Sequence, residues 1–202
     1  MDSTVFIVDP DPAAQRAVAQ LVGTMGLQSE LFDSPLTFLA TIDPLRPGCM
    51  VLEFNQPTGS GLEFQKQLAE RGYTLPLLFV TGHGDIATAV TAMKAGAADF
   101  MSKPFRVHEL YDTIQRSVAQ DLAQRRRMAV QEELAAKFAR LTPGEKRVLE
   151  LIVAGQNKQQ IAEELGLSVR TIEVRRGKIM KKLQATNLAA LIRTFLLMTN
   201  KS

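Results

Sequence analysis

In the first half of this 202-residue chain, Asp9, Asp11, Glu53, Thr81 and Lys103 each close or closely follow a short apolar run. Gathered at one place, those side chains would form charge-assisted hydrogen bonds, with lysine and threonine donating and carboxylate oxygens accepting. A second constellation lies near the other end. Lys158 precedes a stretch, 168–183, that carries Arg170, Thr171, Glu173, Val174, Arg175, Arg176, Gly177, Lys178, Lys181 and Lys182. So many cations on one short segment point to contact with a polyanion rather than to bond-making chemistry.

The elements that must position the first group are legible from periodicity. Apolar runs at 4–8, 27–32, 49–54, 75–80 and 98–101 have strand length, and the segments 12–25, 34–42, 62–71 and 85–95 have helical spacing. In 12–25, for example, Ala14, Val18, Leu21, Val22 and Met25 recur at that spacing. Pro35 suits a first helical turn, and Asp85 suits an N-cap. Such alternation predicts a doubly wound α/β domain with a five-stranded parallel sheet covered on both faces. In sheets of this kind functional groups collect at the carboxyl ends of the strands, where all of the first group lies. After Glu53 a Pro-containing loop is expected to lead directly into the next helix.

From Val107 to about Phe138 a helical pattern runs without Gly or Pro. Leu110, Ile114, Val118 and Leu122 repeat every four residues, Leu134 and Phe138 continue the spacing, and Arg125-Arg126-Arg127 interrupts it. The pattern predicts a long linker helix, continuous or frayed in the middle. Its apolar stripe over 119–138 either pairs with a second copy of the chain, or only the first half of the stripe is used, against the sheet. Four short helices follow at 143–154, 158–165, 169–183 and 188–198, with Gly155 and Gly166 as stops and Ser168 and Asn187 as caps. The pair joined by Gly166-Leu167-Ser168 is a helix-turn-helix signature. The expected division is a regulatory domain over 1–118, a linker helix over 119–137 and an all-α domain over 138–202.

The net charge of +3 hides an asymmetry: residues 1–120 carry −5 and residues 121–202 carry +8. The split predicts an acidic control domain and a basic domain that meets nucleic acid. The single Cys49 excludes an internal disulfide and reads as a small core residue in a reducing compartment. Cys49, His83 and His108 lie too far apart for zinc-ligand spacing; His83 reads as a surface or partner-contact residue and His108 as a residue in the first turn of the linker helix. No apolar run is long enough for a membrane span, and the N-terminus enters a strand without signal-peptide features, so a cytoplasmic protein is expected. With no activated nucleophile, cofactor loop or intact metal cluster, an enzyme is not expected.

The stretch from Met50-Val51-Leu52-Glu53 through Gly59-Ser60-Gly61-Leu62-Glu63 resembles the phosphorylation segment of bacterial response-regulator receiver domains. Val80-Thr81-Gly82-His83-Gly84-Asp85 and Ser102-Lys103-Pro104-Phe105 resemble the hydroxyl- and lysine-bearing segments of the FixJ subgroup. The resemblance implies a pocket formed by Asp9, Asp11, Thr81 and Lys103, an aromatic switch position at Phe100 and a cis bond before Pro104. The chain departs from the pattern twice. Glu53 stands where the phosphate-accepting aspartate is usual, and Pro10 stands where a direct Mg²⁺ ligand is usual. Proline has no carboxylate and Mg²⁺ demands near-octahedral oxygen coordination, so no cofactor is expected. Glu53 is one methylene longer and is expected to reach Lys103 by a salt bridge and Thr81 by a hydrogen bond. That imitation is imperfect, with one charge and two oxygens against roughly −2 and three oxygens for a phosphoryl group. A receiver biased toward its active state, an inert scaffold and residual phosphorylation are the three readings this leaves.

Leu141-Thr142-Pro143-Gly144-Glu145, Asn157-Lys158-Gln159-Gln160-Ile161-Ala162 and the run from Ser168 to Arg176, completed by Lys181-Lys182-Leu183, resemble the LuxR-type DNA-binding domain. At 100° per residue Val169, Ile172, Ile179 and Leu183 fall on one face of 169–183. Arg170, Val174, Gly177, Lys178 and Lys181 fall on the opposite face, flanked by Thr171 and Glu173. Val174 is expected against a thymine methyl and Glu173 against a cytosine amino group. Arg170, Lys178, Lys181 and Lys182, with Arg175, Arg176 and Lys158 beside them, are expected at phosphates. Together the two resemblances imply a transcriptional regulator of the response-regulator type that binds double-stranded promoter DNA as a homodimer, and the departures at Glu53 and Pro10 lead to the expectation that it does so independently of phosphorylation. A histidine kinase or another regulator protein is a possible partner of its receiver. The alternative reading is an interaction module whose receiver binds another regulator, with DNA binding secondary.

Overall fold

The computed structural model describes residues 3–57, 59–82 and 84–199. His83 lies outside the described residues. The chain divides into two compact units, Met1–Arg125 and Arg126–Ser202.

In the first unit, strands β1 (Thr4–Val8), β2 (Gln28–Phe32), β3 (Gly48–Glu53), β6 (Leu77–Thr81) and β7 (Asp99–Ser102) form one parallel sheet in the order β2-β1-β3-β6-β7. Helices α1 (Pro12–Thr24), α2 (Pro35–Thr41), α3 (Gly61–Glu70) and α4 (Ile86–Lys94) connect them. The expected α/β fold is therefore the observed one. Side chains alternate across the sheet because a strand has a period of two. Phe6, Val8, Met50, Leu52 and Phe79 enter one core, and Val5, Ile7, Cys49, Val51, Leu78 and Val80 enter the other. Helix starts follow the residues that cap them: Asp11, Ser34, Ser60 and Asp85 each accept a backbone N–H of the first turn, replacing a bond the helix cannot make internally.

Between β3 and α3 the chain forms a small antiparallel hairpin, β4 (Asn55–Gln56) with β5 (Gly59–Ser60), rather than the irregular loop expected. Two-residue strands carry too little pattern to be read from periodicity.

Helix α5 spans Val107–Ala139. Its apolar stripe is divided. Leu110, Ile114 and Val118 are buried in the sheet core with Leu122 against them, whereas Phe138 is buried in the core of the second unit. Position 118 does not end the first unit. Asp121, fully buried, accepts the N–H of Gly48 at 2.9 Å and pairs with Arg125 at 2.8 Å, and Arg125 donates to the carbonyls of Leu45 and Pro44. Gly48 at φ +151° is required there, because a Cβ would lie 1.8 Å from the Thr4 carbonyl oxygen.

The second unit contains α6 (Pro143–Val153), α7 (Lys158–Leu165), α8 (Val169–Leu183) and α9 (Leu188–Thr199). Val148, Leu149, Ile161, Ile172, Ile179, Leu183 and Leu191 make its core. Gly166 ends α7 in the left-handed conformation at φ +63°, and Ser168 caps α8 two residues later, which makes the tight turn between them. Among the described residues no helix is long and apolar enough to cross a membrane.

Candidate functional site

Parallel pairing brings the scattered polar residues to one edge of the sheet. Glu53 closes β3 and Thr81 closes β6, Asp9 follows β1, and Lys103 follows β7. Backbone bonds hold these ends in place: Asp9 N to the Phe32 carbonyl at 3.1 Å, Phe54 N to Val80 at 3.1 Å and Lys103 N to Thr81 at 2.7 Å. Lys103 then reaches back across the edge. Its Nζ donates to Asp9 Oδ2 at 2.8 Å and to Glu53 Oε2 at 2.7 Å. Burial works against the charge on Lys103, but the hydrogen bonds to Asp9 and Glu53 outweigh it and hold the ammonium above its ordinary pKa. The Lys103–Pro104 bond is cis.

The expected salt bridge from Glu53 to Lys103 is present, whereas among the described residues the expected hydrogen bond from Thr81 to Glu53 is not formed. Glu53 Oε2 is taken by Lys103 and Oε1 by the backbone N–H of Asn55 at 3.1 Å. Thr81 Oγ1 instead accepts from Asn55 Nδ2 at 3.0 Å. The turn into the β4–β5 hairpin thus places Asn55 beside the threonine. Asp11 also has a different occupation from the one expected: its exposed carboxylate caps α1 through Ala13 N at 2.8 Å. Phe100 is half-buried, its ring 5.5 Å from Phe54 and 6.0 Å from Phe79.

As a Mg²⁺ site this donor set fits poorly. Asp9 has one oxygen on Lys103 and the other on the N–H of Asp11, and Pro10 offers none. Among the described residues no group of three or more His, Cys, Asp or Glu could hold a metal ion.

In the second unit Ile172, Ile179 and Leu183 of α8 are buried, and Arg170, Val174, Arg176, Gly177, Lys178 and Lys181 are exposed. The exposed face is basic, with an apolar and a side-chain-free position among its cations. A Cβ added at Gly177 would meet nothing within 4 Å, so packing inside the protein does not require glycine there. Thr171 belongs to the start of the helix, its N–H donating to Ser168 Oγ at 3.1 Å.

Three cations expected at phosphates have partners within the protein. Lys182 Nζ donates to Glu145 Oε2 at 2.6 Å. Glu145 is almost fully buried and closes the capping box of α6 with Thr142. The hydrogen bond from Lys182 and that from the Thr142 N–H hold the Glu145 carboxyl below the ordinary carboxylate range. Arg175 is half-buried, and its guanidinium donates to the Gly144 carbonyl at 3.5 Å. Lys158 Nζ meets Glu173 Oε1 at 2.5 Å. None of the three pairings was visible in the sequence, because each joins residues of different helices.

Comparison with known proteins bears on both units. The family described as response regulator receiver domain matches residues 5–115, and that described as bacterial regulatory proteins, luxR family, matches residues 139–195. Nodulation protein W of Bradyrhizobium diazoefficiens is 39% identical over 94% of this chain and 83% of its own length. Among solved structures, that of the response regulator StyR superposes with a TM-score of 0.90 at 38% identity, covering 96% of this chain and 98% of that one. Full-length FixJ from B. japonicum gives a TM-score of 0.60 at 35% identity, covering 97% of each chain.

Proposed function

Because the chain belongs to the response-regulator family, as a receiver domain followed by a luxR-type DNA-binding domain, we propose that it regulates transcription without a phosphate on its receiver. Glu53 takes the position of the phosphoacceptor aspartate. The observation that carries this reading is the 2.7 Å contact from Lys103 to Glu53. It supplies, with carbon chemistry, the lysine half of the contacts that a phosphoryl group would make. The threonine half goes to Asn55, so the bias toward an active state is partial. Mg²⁺ has no role in this reading, since its usual ligand is proline at position 10 and Asp9 is engaged by Lys103.

The exposed face of α8 enters the major groove of double-stranded promoter DNA. Val174 and Glu173 meet base edges, while Arg170, Arg176, Lys178 and Lys181 meet phosphates. The protein acts as a homodimer in the cytoplasm, and a histidine kinase or a second regulator protein is the partner of its receiver.

The test is binding of a site selected from a random duplex pool by the full chain and by Glu53→Ala, each titrated across salt concentration. Tight binding that weakens about tenfold or more in the variant, a loss of about 1.4 kcal/mol, supports a receiver held by Glu53. Equal binding by both refutes it. Addition of one phosphoryl group from acetyl phosphate to an acidic side chain of the untreated protein refutes phosphorylation independence.

A further inference from the structure

The acidic residue on the basic face of α8 is not alone. Lys158 lies in the first turn of α7, where Asn157 and Gln160 close a capping box and fix the helix start. From there its Nζ reaches Glu173 Oε1 at 2.5 Å, joining the two helices of the helix-turn-helix. Both side chains are about half exposed, 48% and 53%. Exposed ion pairs contribute little to folding, so the fold gives weak reason for this one. Recognition gives a better reason. A bare carboxylate facing phosphates is repelled by them. Glu173 is offset by Lys158, and Arg170 and Arg176 one helical turn to either side also attract it. With Oε1 held by Lys158, the second oxygen of Glu173 is the acceptor presented to a base. Cytosine, with its N4 amino group in the major groove, supplies the matching donor.

We propose that Lys158 is a positioning residue for sequence specificity: it aims the Glu173 carboxylate at one cytosine and cancels its charge against nearby phosphates, so that the two side chains read that base pair as a unit. This inference rests on the DNA-binding reading given above. It differs from the expectation that Lys158 is a phosphate contact like the other cations.

The test uses the full chain and a duplex selected from a random pool, with each base pair of the site then varied in turn. Intact protein should prefer a cytosine at one position by about tenfold. Lys158→Met, Glu173→Gln and the double variant should all lose that preference to a similar extent while keeping preferences elsewhere in the site, and Lys158→Arg should restore most of it. If Lys158→Met instead weakens binding to every sequence equally, lowers the salt dependence by about one phosphate contact and leaves the cytosine preference intact, the proposal is overturned and Lys158 is a backbone contact. If intact protein shows no salt-dependent DNA binding at all, the DNA reading itself fails and this inference falls with it.

Discussion

Lys103 and Glu53 meet at 2.7 Å although β6 lies between the strands that carry them. The lysine follows β7, the glutamate closes β3, and the ammonium crosses the edge of the intervening strand to reach it. Asp9, on the far side, receives the same cation at 2.8 Å. One positive charge therefore ties down two carboxylates whose side chains are each only about a tenth exposed, 10% and 11%.

Removing that cation should be costly. Lys103→Met leaves Asp9 and Glu53 facing each other without compensation, and the expected loss is about 2 kcal/mol in a urea titration at neutral pH. That is less than for a fully buried pair, because water reaches Lys103. The pKa of Lys103 is raised in the folded protein, so its contribution is complete at neutral pH. It is lost only as pH rises past the ordinary lysine value of 10.5 and through the folded one. An unchanged midpoint at neutral pH would show that the bridge adds nothing to stability.

Gly177→Ala separates folding from recognition. The added methyl meets nothing within the protein, and alanine favours a helix interior by about 1 kcal/mol over glycine. The variant should melt at a higher temperature and bind its selected DNA more weakly. A variant that is more stable and binds as well as the parent would show that α8 does not approach DNA closely at this position.

Glu145 links the start of α6 to Lys182 on α8, and its carboxyl is held below the ordinary value of 4.5. A depressed carboxylate stabilises the fold above its unfolded pKa and ceases to do so as pH falls through the lower folded one. Glu145→Gln should therefore be less stable than the parent at neutral pH, by about 1 kcal/mol for the weakened cap and lost ion pair. The difference should close as the solution is acidified well below pH 4.5. A pH-independent difference would assign the effect to packing alone.

Burial, with the Asp121 charge adding to it, pushes the Cys49 thiol up to about 12. The thiolate is the reactive form, so Cys49 should resist alkylation in the native protein and react at the rate of unfolding. Alkylation as fast as that of a free thiol under native conditions would contradict its burial.

The regular elements of the first unit were readable because apolar runs and helical spacing are local. Thr4–Val8 is a buried strand, and Asp85 and, in the second unit, Ser168 cap the helices that follow them. The gathering of Asp9, Glu53 and Lys103 was readable too, since parallel strands share an end. What escaped was set by tertiary contact. Asp121 and Arg125 look like ordinary surface charges of a long helix, and their partners, Gly48 and the carbonyls of Pro44 and Leu45, lie far away in sequence. Asn55, itself exposed, donates to the hydroxyl of Thr81 because a hairpin too short to leave a pattern set it beside that residue. Lys158 and Lys182 read as free cations until α8 supplied Glu173 for the one and α6 supplied Glu145 for the other.

A phosphoryl group on an aspartate is an anhydride with a lifetime; water ends the signal it carries. The carboxylate that Lys103 holds here is joined through carbon-carbon bonds and is present from the moment the chain is made. On the reading proposed for Glu53, no phosphatase can erase this state. The clock passes from chemistry in the pocket to the abundance of the protein itself, to how fast it is synthesised and how fast it is degraded.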